Sequence, residues 1–170
     1  LGGQALALQA DVGAVAEIDA MIEATVVHFG RLDVIVNNAG VKRRAYIMDL
    51  TEADWDRIHR VNAKGVFLGM RAVIPVMQKA GRGSIVNISS IAGMIASANF
   101  VGYNTSKAAV WMLSKSIALY CAREGLDIRC NSVHPTFVNT PLLDGIGRGT
   151  QEERLAKLAR QIPIGRVGEP

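Results

Sequence analysis

Apolar residues follow two alternating rhythms along the chain. Short runs rich in aliphatic residues occur at Leu6-Ala7-Leu8-Gln9-Ala10, Leu32-Asp33-Val34-Ile35-Val36-Asn37, Ser84-Ile85-Val86-Asn87-Ile88-Ser89 and Ile128-Arg129-Cys130-Asn131-Ser132-Val133-His134. Each run has the length of a buried strand and ends at polar or turn-forming residues. Between the runs, apolar residues recur at helical spacing. Val15, Ile18, Met21, Ile22, Thr25 and Val26 predict a helix that His28-Phe29-Gly30 stops. Thr51 caps a long helix, with Asp54 three residues on as a variant capping box. That helix runs through Trp55, Ile58, Val61, Val66, Phe67, Met70 and Val73 towards Met77, and Pro75 is expected to kink or break it. After the Gly81-Arg82-Gly83 turn and a loop of small residues from Ser90 to Gly102, a helix is expected from Tyr103 to about Ala122. Val110, Trp111, Leu113, Ile117 and Leu119 make it apolar on more than one face, as in a helix covered on two sides. A last short helix is expected from Glu152 to Gln161.

Strands alternate with helices, and the strands are apolar runs without strict alternation. This predicts an α/β, doubly wound parallel sheet with helices on both faces. In such sheets ligands bind beyond the carboxyl ends of the strands. The residues expected there are Asp11, Asn37-Asn38-Ala39-Gly40, Ser89-Ser90 and Pro135-Thr136, which puts the polar chemistry on one edge.

Composition narrows the classes. The 170 residues are 49% hydrophobic and 20% charged, which fits a single soluble globular domain over 1–170. The net charge is +4, and the one local basic run is Lys42-Arg43-Arg44. With no basic stripe or recognition motif, a nucleic-acid partner is not expected. No apolar run reaches a membrane span, and no signal peptide is read at the amino end. Cys121 and Cys130 are too few and too far apart for a zinc site, so no metal is expected. They read as buried, reduced thiols of a cytoplasmic protein.

The stretch Tyr103-Asn104-Thr105-Ser106-Lys107 carries the sharpest chemistry. Residues four apart on a helix share a face. A free phenol has a pKa of about 10, and a nearby ammonium favours the phenolate. Such a pair can make a proton donor and acceptor that works near neutrality. The same residues also fit a packed aromatic beside a snorkelling lysine.

The ordered set Asp11-Val12, Asn37-Asn38-Ala39-Gly40, Asn62, Ser90, Tyr103-x-x-x-Lys107 and the segment Pro135 to Thr140 resembles the short-chain dehydrogenase/reductase family over nearly the whole chain, with Ser90 thirteen residues before Tyr103. The resemblance implies a Rossmann-like sheet and an NAD(P)-dependent oxidoreductase interconverting a secondary alcohol and a ketone. It implies Tyr103 as general acid and base, with Lys107 lowering its pKa and holding the ribose hydroxyls. Ser90 would bind the substrate oxygen alongside Tyr103. Asn62, at a local distortion of its helix, would anchor a water leading from Lys107 to solvent. For the cofactor, Asp11 would accept from the adenine amino group with Val12 beside the ring. Asn38, Ala39 and Gly40 would line the ribose and phosphate path. Pro135, Val138 and Thr140 would face the nicotinamide.

Plainer readings stand beside these. Asn37 and Asn38 could cap a turn, and Asn62 could be a surface helix residue. Asp11 could be a turn or helix-capping residue. Ser89 competes with Ser90, and His134, at a strand end before proline, reads as structural. Thr136 stands where the family usually has glycine, and a β-branched residue resists positive φ. The glycine-rich pyrophosphate turn and the residue selecting NAD or NADP are expected upstream of Leu1, and the family's last strand and helix beyond Pro170. The chain therefore reads as a piece lacking the first βαβ unit, expected to bind cofactor poorly alone. A non-catalytic nucleotide-binding or assembly module on the same fold is the alternative; a methyltransferase would have no use for the tyrosine–lysine pair. Met94 to Phe100 and Phe137 to Ile146 are mainly apolar, with no Lys or Arg before Arg148, and favour a neutral, apolar alcohol or ketone. The helices from Thr51 and Tyr103 would pack against a partner copy in a dimer or homotetramer.

Overall fold

A computed structural model describes residues 3–143, 146–147 and 149–170. The elements in chain order are α1 (Val15–Phe29), β1 (Val34–Asn37), α2 (Glu52–His59), a π-helical segment (Arg60–Lys64) and α3 (Gly65–Ala80). They continue as β2 (Gly83–Ile88), a 3-10 turn (Ile91–Gly93), α4 (Val101–Arg123), β3 (Ile128–Val133), a second 3-10 turn (Pro141–Leu143) and α5 (Gln151–Ala159). Gly30 and Gly81 end α1 and α3 with φ of 77° and 80°. In that left-handed region a side chain is strained, so glycine is the natural stop.

The sheet among the described residues is parallel, in the order β1-β2-β3. Val34 lies opposite Ser84 and Asn37 opposite Asn87, while Gly83 lies opposite Ile128 and Ile88 opposite Val133. The Rossmann-like parallel α/β architecture is the one expected. The helices cover one face of this sheet: α3 and α4 pack on the strands, and α1 packs on α3. Ile85, Val73, Met77 and Val110 are fully buried in that layer, with Ile18, Ile22 and Ile128 beside them. On the opposite face Val34 and Val36 stay more than half exposed, and no described helix lies over them.

Two expectations change. Leu6–Ala10 is not a strand: the segment carries no regular structure and pairs with no strand, and Leu6 and Leu8 are exposed. A strand needs a neighbour for its backbone groups, and none of the described strands lies beside it. Pro75 does not break the helix, since α3 continues to Ala80. Proline cannot donate to the carbonyl four residues back, here that of Arg71. Both residues lie on the exposed side of α3, where water can serve that carbonyl.

Candidate active site

The site is built where the helix from Thr51 changes pitch. Thr51 caps α2 by accepting from the Asp54 amide at 3.1 Å. Eight residues later the helix widens into the π segment, where the Gly65 amide bonds to the Arg60 carbonyl, five residues back. Such bulges recur at functional sites. This one turns Asn62 fully inward. Asn62 Oδ1 accepts from the Val41 amide at 2.8 Å, and Nδ2 donates to the Val41 carbonyl at 2.9 Å and to Ser106 Oγ at 3.0 Å. One side chain thus ties the loop after β1 to the start of α4. Both Nδ2 hydrogens are used, and Oδ1 keeps one lone pair.

Tyr103 and Lys107 come from the first turns of α4, and Ser90 from the end of β2. The Ser90 side chain lies close to the Tyr103 phenol. Ser90 Oγ also accepts from the Ala92 amide at 3.1 Å, which fixes it at the head of the 3-10 turn. Ser89, its competitor, points the other way and donates to the Lys107 carbonyl at 2.8 Å. Lys107 is buried, and its Nζ donates to the Ile88 carbonyl at 2.6 Å. Nζ sits 5.8 Å from the centre of the Tyr103 ring.

Burial pushes the Tyr103 phenol up from its ordinary value, and the Ser90 side chain works against that. Lys107 Nζ lies over the Tyr103 ring and donates to the Ile88 carbonyl, and burial lowers it to about 8.

The cofactor candidates lie on the same edge. Asn38, Ala39 and Gly40 are exposed beyond the end of β1. A Cβ on Gly40 would lie 3.6 Å from both Asn62 Oδ1 and Lys107 Nζ, so these two atoms flank one small space. Val12, Asn38, Ala39 and Gly65 line a groove of about 160 Å³. Asp11 Oδ1 accepts from the Gly13 amide at 2.9 Å, and Oδ2 pairs with Arg60. The Arg60 hydrogen bond is the main cause of the lowered Asp11 pKa. After β3, the Pro135 carbonyl accepts from the Ile91 amide at 3.0 Å, joining that loop to the Ser90 turn. Val138 bridges to Gly168, and the Thr140 hydroxyl donates to the Val138 carbonyl at 3.3 Å. Thr136 has no positive φ, so it adopts a conformation that a β-branched residue accepts. Asp144 and Gly145 of the expected substrate-facing segment, and Arg148 after it, lie outside the described residues.

His134 is held from three sides. Its ring nitrogens lie 2.9 Å from Ser132 Oγ and 3.2 Å from the Ser90 carbonyl, and its ring packs edge-on to Trp111. Cys121 and Cys130 are free and buried. Among the described residues there is no cluster of three metal-ligating side chains, and no helix is long and apolar enough to cross a membrane.

Sequence reasoning missed four supports. Ser106 is the link between Asn62 and the Tyr103 carbonyl, to which it donates at 2.8 Å. Asn87 accepts from Asn37 at 2.8 Å and donates to Ser114 at 2.9 Å beneath the site. Its signal was a lone amide in an apolar strand, two residues from the buried Ile85. Arg60 carried no signal beyond helical spacing. Gly93 is the fourth, since a Cβ there would lie 2.7 Å from the Lys107 carbonyl carbon. Gly93→Ala is therefore expected to cost about 1–3 kcal/mol, because the α4 backbone cannot move aside cheaply. Urea unfolding measures this, and a midpoint equal to wild type would mean that the turn yields freely.

The family model for short chain dehydrogenases matches residues 1–151. A 3-alpha-(or 20-beta)-hydroxysteroid dehydrogenase of Mycobacterium tuberculosis is 42% identical over 154 residues, covering 91% of this chain and 58% of that protein. The NADP-dependent (R)-specific alcohol dehydrogenase of Lentilactobacillus kefiri is 39% identical over 151 residues, covering 88% of this chain and 59% of that protein. The ligand-free aldohexose dehydrogenase of Thermoplasma acidophilum superposes with a TM-score of 0.88 at 34% identity, over 96% of this chain and 66% of that one. The chain thus spans under two thirds of the length of each of these relatives. With a parallel sheet, a π-bulged helix and a serine–tyrosine–lysine cluster on one edge, the chain belongs to the short-chain dehydrogenase/reductase family.

Proposed function

We propose that this chain carries the catalytic edge of an NAD- or NADP-dependent oxidoreductase that interconverts a secondary alcohol and a ketone. The observation that carries the reading is the convergence of Ser90, Tyr103 and Lys107 beyond the end of β2, with Ser90 fixed by the Ala92 amide and Lys107, one helical turn from Tyr103, bound to the Ile88 carbonyl. A substrate oxygen placed against both hydroxyls would meet two donors at once, favouring the negative charge that develops there on reduction. Tyr103 gives its proton to that oxygen in reduction and takes it back in oxidation. Ser90 holds the oxygen in place. The bound nicotinamide supplies or accepts the hydride.

The residues present fit such a cofactor. The Val12–Asn38–Ala39 groove suits an adenine ring, and Asp11 is ionised beside it to accept an amino hydrogen. Gly40 leaves open the space between Asn62 and Lys107, where a Cβ would intrude. Lys107 there has further hydrogens for ribose hydroxyls and a water shared with Asn62. Pro135, Val138 and Thr140 form the wall on the nicotinamide side.

Met94 and Ile95 are exposed on the loop after Ser90 and favour a neutral, apolar substrate. The hydroxysteroid and alcohol substrates named for two relatives agree with that class. Met112, Leu119 and Tyr120 form an exposed stripe on α4, suited to a partner copy in a dimer or tetramer. Light scattering should then give at least twice the chain mass; a monomer at high concentration would exclude this contact.

The test is a titration of the intact protein with NADH and NADPH by nicotinamide fluorescence, followed by turnover of secondary alcohols. Binding with turnover is expected. Binding without turnover of any alcohol or ketone would favour a nucleotide-binding module, and no binding would end the cofactor reading.

A further inference from the structure

Asp11 and Arg60 are 49 residues apart in sequence and pair with each other, and their chain neighbours Val12 and Val61 line the groove. An exposed ion pair by itself contributes little. Four further contacts distinguish this one. A Cβ on Gly13 would lie 2.7 Å from the Arg60 side chain, so the arginine stem lies directly over the Gly13 backbone. A Cβ on Gly65 would lie 3.0 Å from Val12, so the next turn of the helix closes on the other side of the same segment. The Gly13 amide holds the second Asp11 oxygen, and the Asp11 amide donates to Glu17 at 2.7 Å.

The segment Asp11-Val12-Gly13 is thus clamped to the π-helical bulge that also carries Asn62. Resting on the cofactor reading above, we propose that Arg60 is a positioning residue for the adenine end of the dinucleotide: its guanidinium fixes the Asp11 carboxylate at the groove, and its stem fixes the backbone that presents Val12. Each Asp11 oxygen keeps a second lone pair for a ligand N–H. The Arg60 hydrogen bond also keeps that carboxyl ionised. The bulge therefore sets both ends of the cofactor path, Asp11 through Arg60 and the Lys107 space through Asn62.

The test separates the adenine end from the nicotinamide end. In the intact protein, Arg60→Met keeps an apolar stem over Gly13 and removes the fork, and Arg60→Lys restores a charge. Each is titrated with NADH and with reduced nicotinamide mononucleotide, which has no adenine. Arg60→Met is expected to weaken NADH by about five- to tenfold, the size of one ordinary hydrogen bond, since the effect reaches the ligand through Asp11. Its affinity for the mononucleotide should stay at the wild-type value, and Arg60→Lys should recover part of the NADH loss. Equal losses for both ligands would mean that Arg60 merely supports the fold and would overturn the proposal. So would unchanged NADH affinity in Arg60→Met beside a wild type that binds. A wild type that binds neither NADH nor NADPH would instead overturn the cofactor reading, and this proposal with it.

Discussion

Tyr103→Phe is expected to fold as the wild type does and to lose turnover by about a hundredfold or more, the contribution of a positioned acid–base group. The substitution removes one oxygen and little else. The ring keeps its edge-on contact with Phe100, centroids 6.3 Å apart, and stays half-buried at the start of α4. Ser90 keeps the Ala92 amide, so its position should survive. The stability cost should be no more than about 1 kcal/mol, that of at most one hydrogen bond. What disappears is the only phenolic proton at the site. Burial keeps that proton on the phenol in the free protein, which suits a donor in ketone reduction. Initial rates with a secondary alcohol, alongside a thermal melt, make the measurement. Undiminished turnover in a folded variant would remove Tyr103 from the acid–base role.

Lys107→Met is expected to reduce turnover by about a hundredfold, as loss of a preorganised charge does, and to change how stability depends on pH. Burial lowers Lys107 from 10.5 to about 8, a penalty of roughly 3 kcal/mol on the charged folded state at about 1.4 kcal/mol per pKa unit. The Ile88 carbonyl offsets part of the desolvation but does not cancel it. Below about pH 8 the lysine is protonated in both folded and unfolded chains, and the penalty is full. Between about 8 and 10.5 the unfolded chain still holds a proton that the folded chain has released. Stability rises with pH wherever the unfolded state binds more protons. The wild type should therefore gain on Lys107→Met across that window, and the gap should be constant below it. Urea unfolding of both proteins at pH 7, 9 and 10 tests this; parallel curves would mean that Lys107 keeps an ordinary pKa.

The sequence was legible wherever a rule of spacing sufficed. The helices from Val15, Thr51 and Val101 and three strands lie within a few residues of their expected places, because apolar period and caps act locally. Leu6–Ala10 was not legible, since a strand exists only with a neighbour and composition does not say where the neighbour is. Ser90, Tyr103 and Lys107 do share one edge, and Asn62 does sit at a helical distortion. The distortion was foreseeable through the family resemblance alone, as no hydrophobic period marks Arg60–Lys64. The bond from the Lys107 ammonium to a backbone carbonyl on β2 was not foreseen, because helical spacing does not say which strand lies behind the helix. The contacts of Arg60 and Gly93 depend on how distant segments approach, and no local pattern encodes that.

The amide pair Asn37–Asn87 has a consequence for strand alignment. β1 is only four residues long, Val-Ile-Val-Asn, and three of them are interchangeable aliphatics. A shift of two positions against β2 would return each of those to the same side of the sheet, so apolar burial alone discriminates weakly between the two pairings. The same shift would separate Asn37 from Asn87 and leave the buried Asn87 Oδ1 without its donor, though Nδ2 would keep Ser114. An unmet buried amide oxygen costs more than an exchange of one valine for another. The polar pair thus acts as a registration mark, and it fixes where the Asn38–Gly40 loop leaves the sheet.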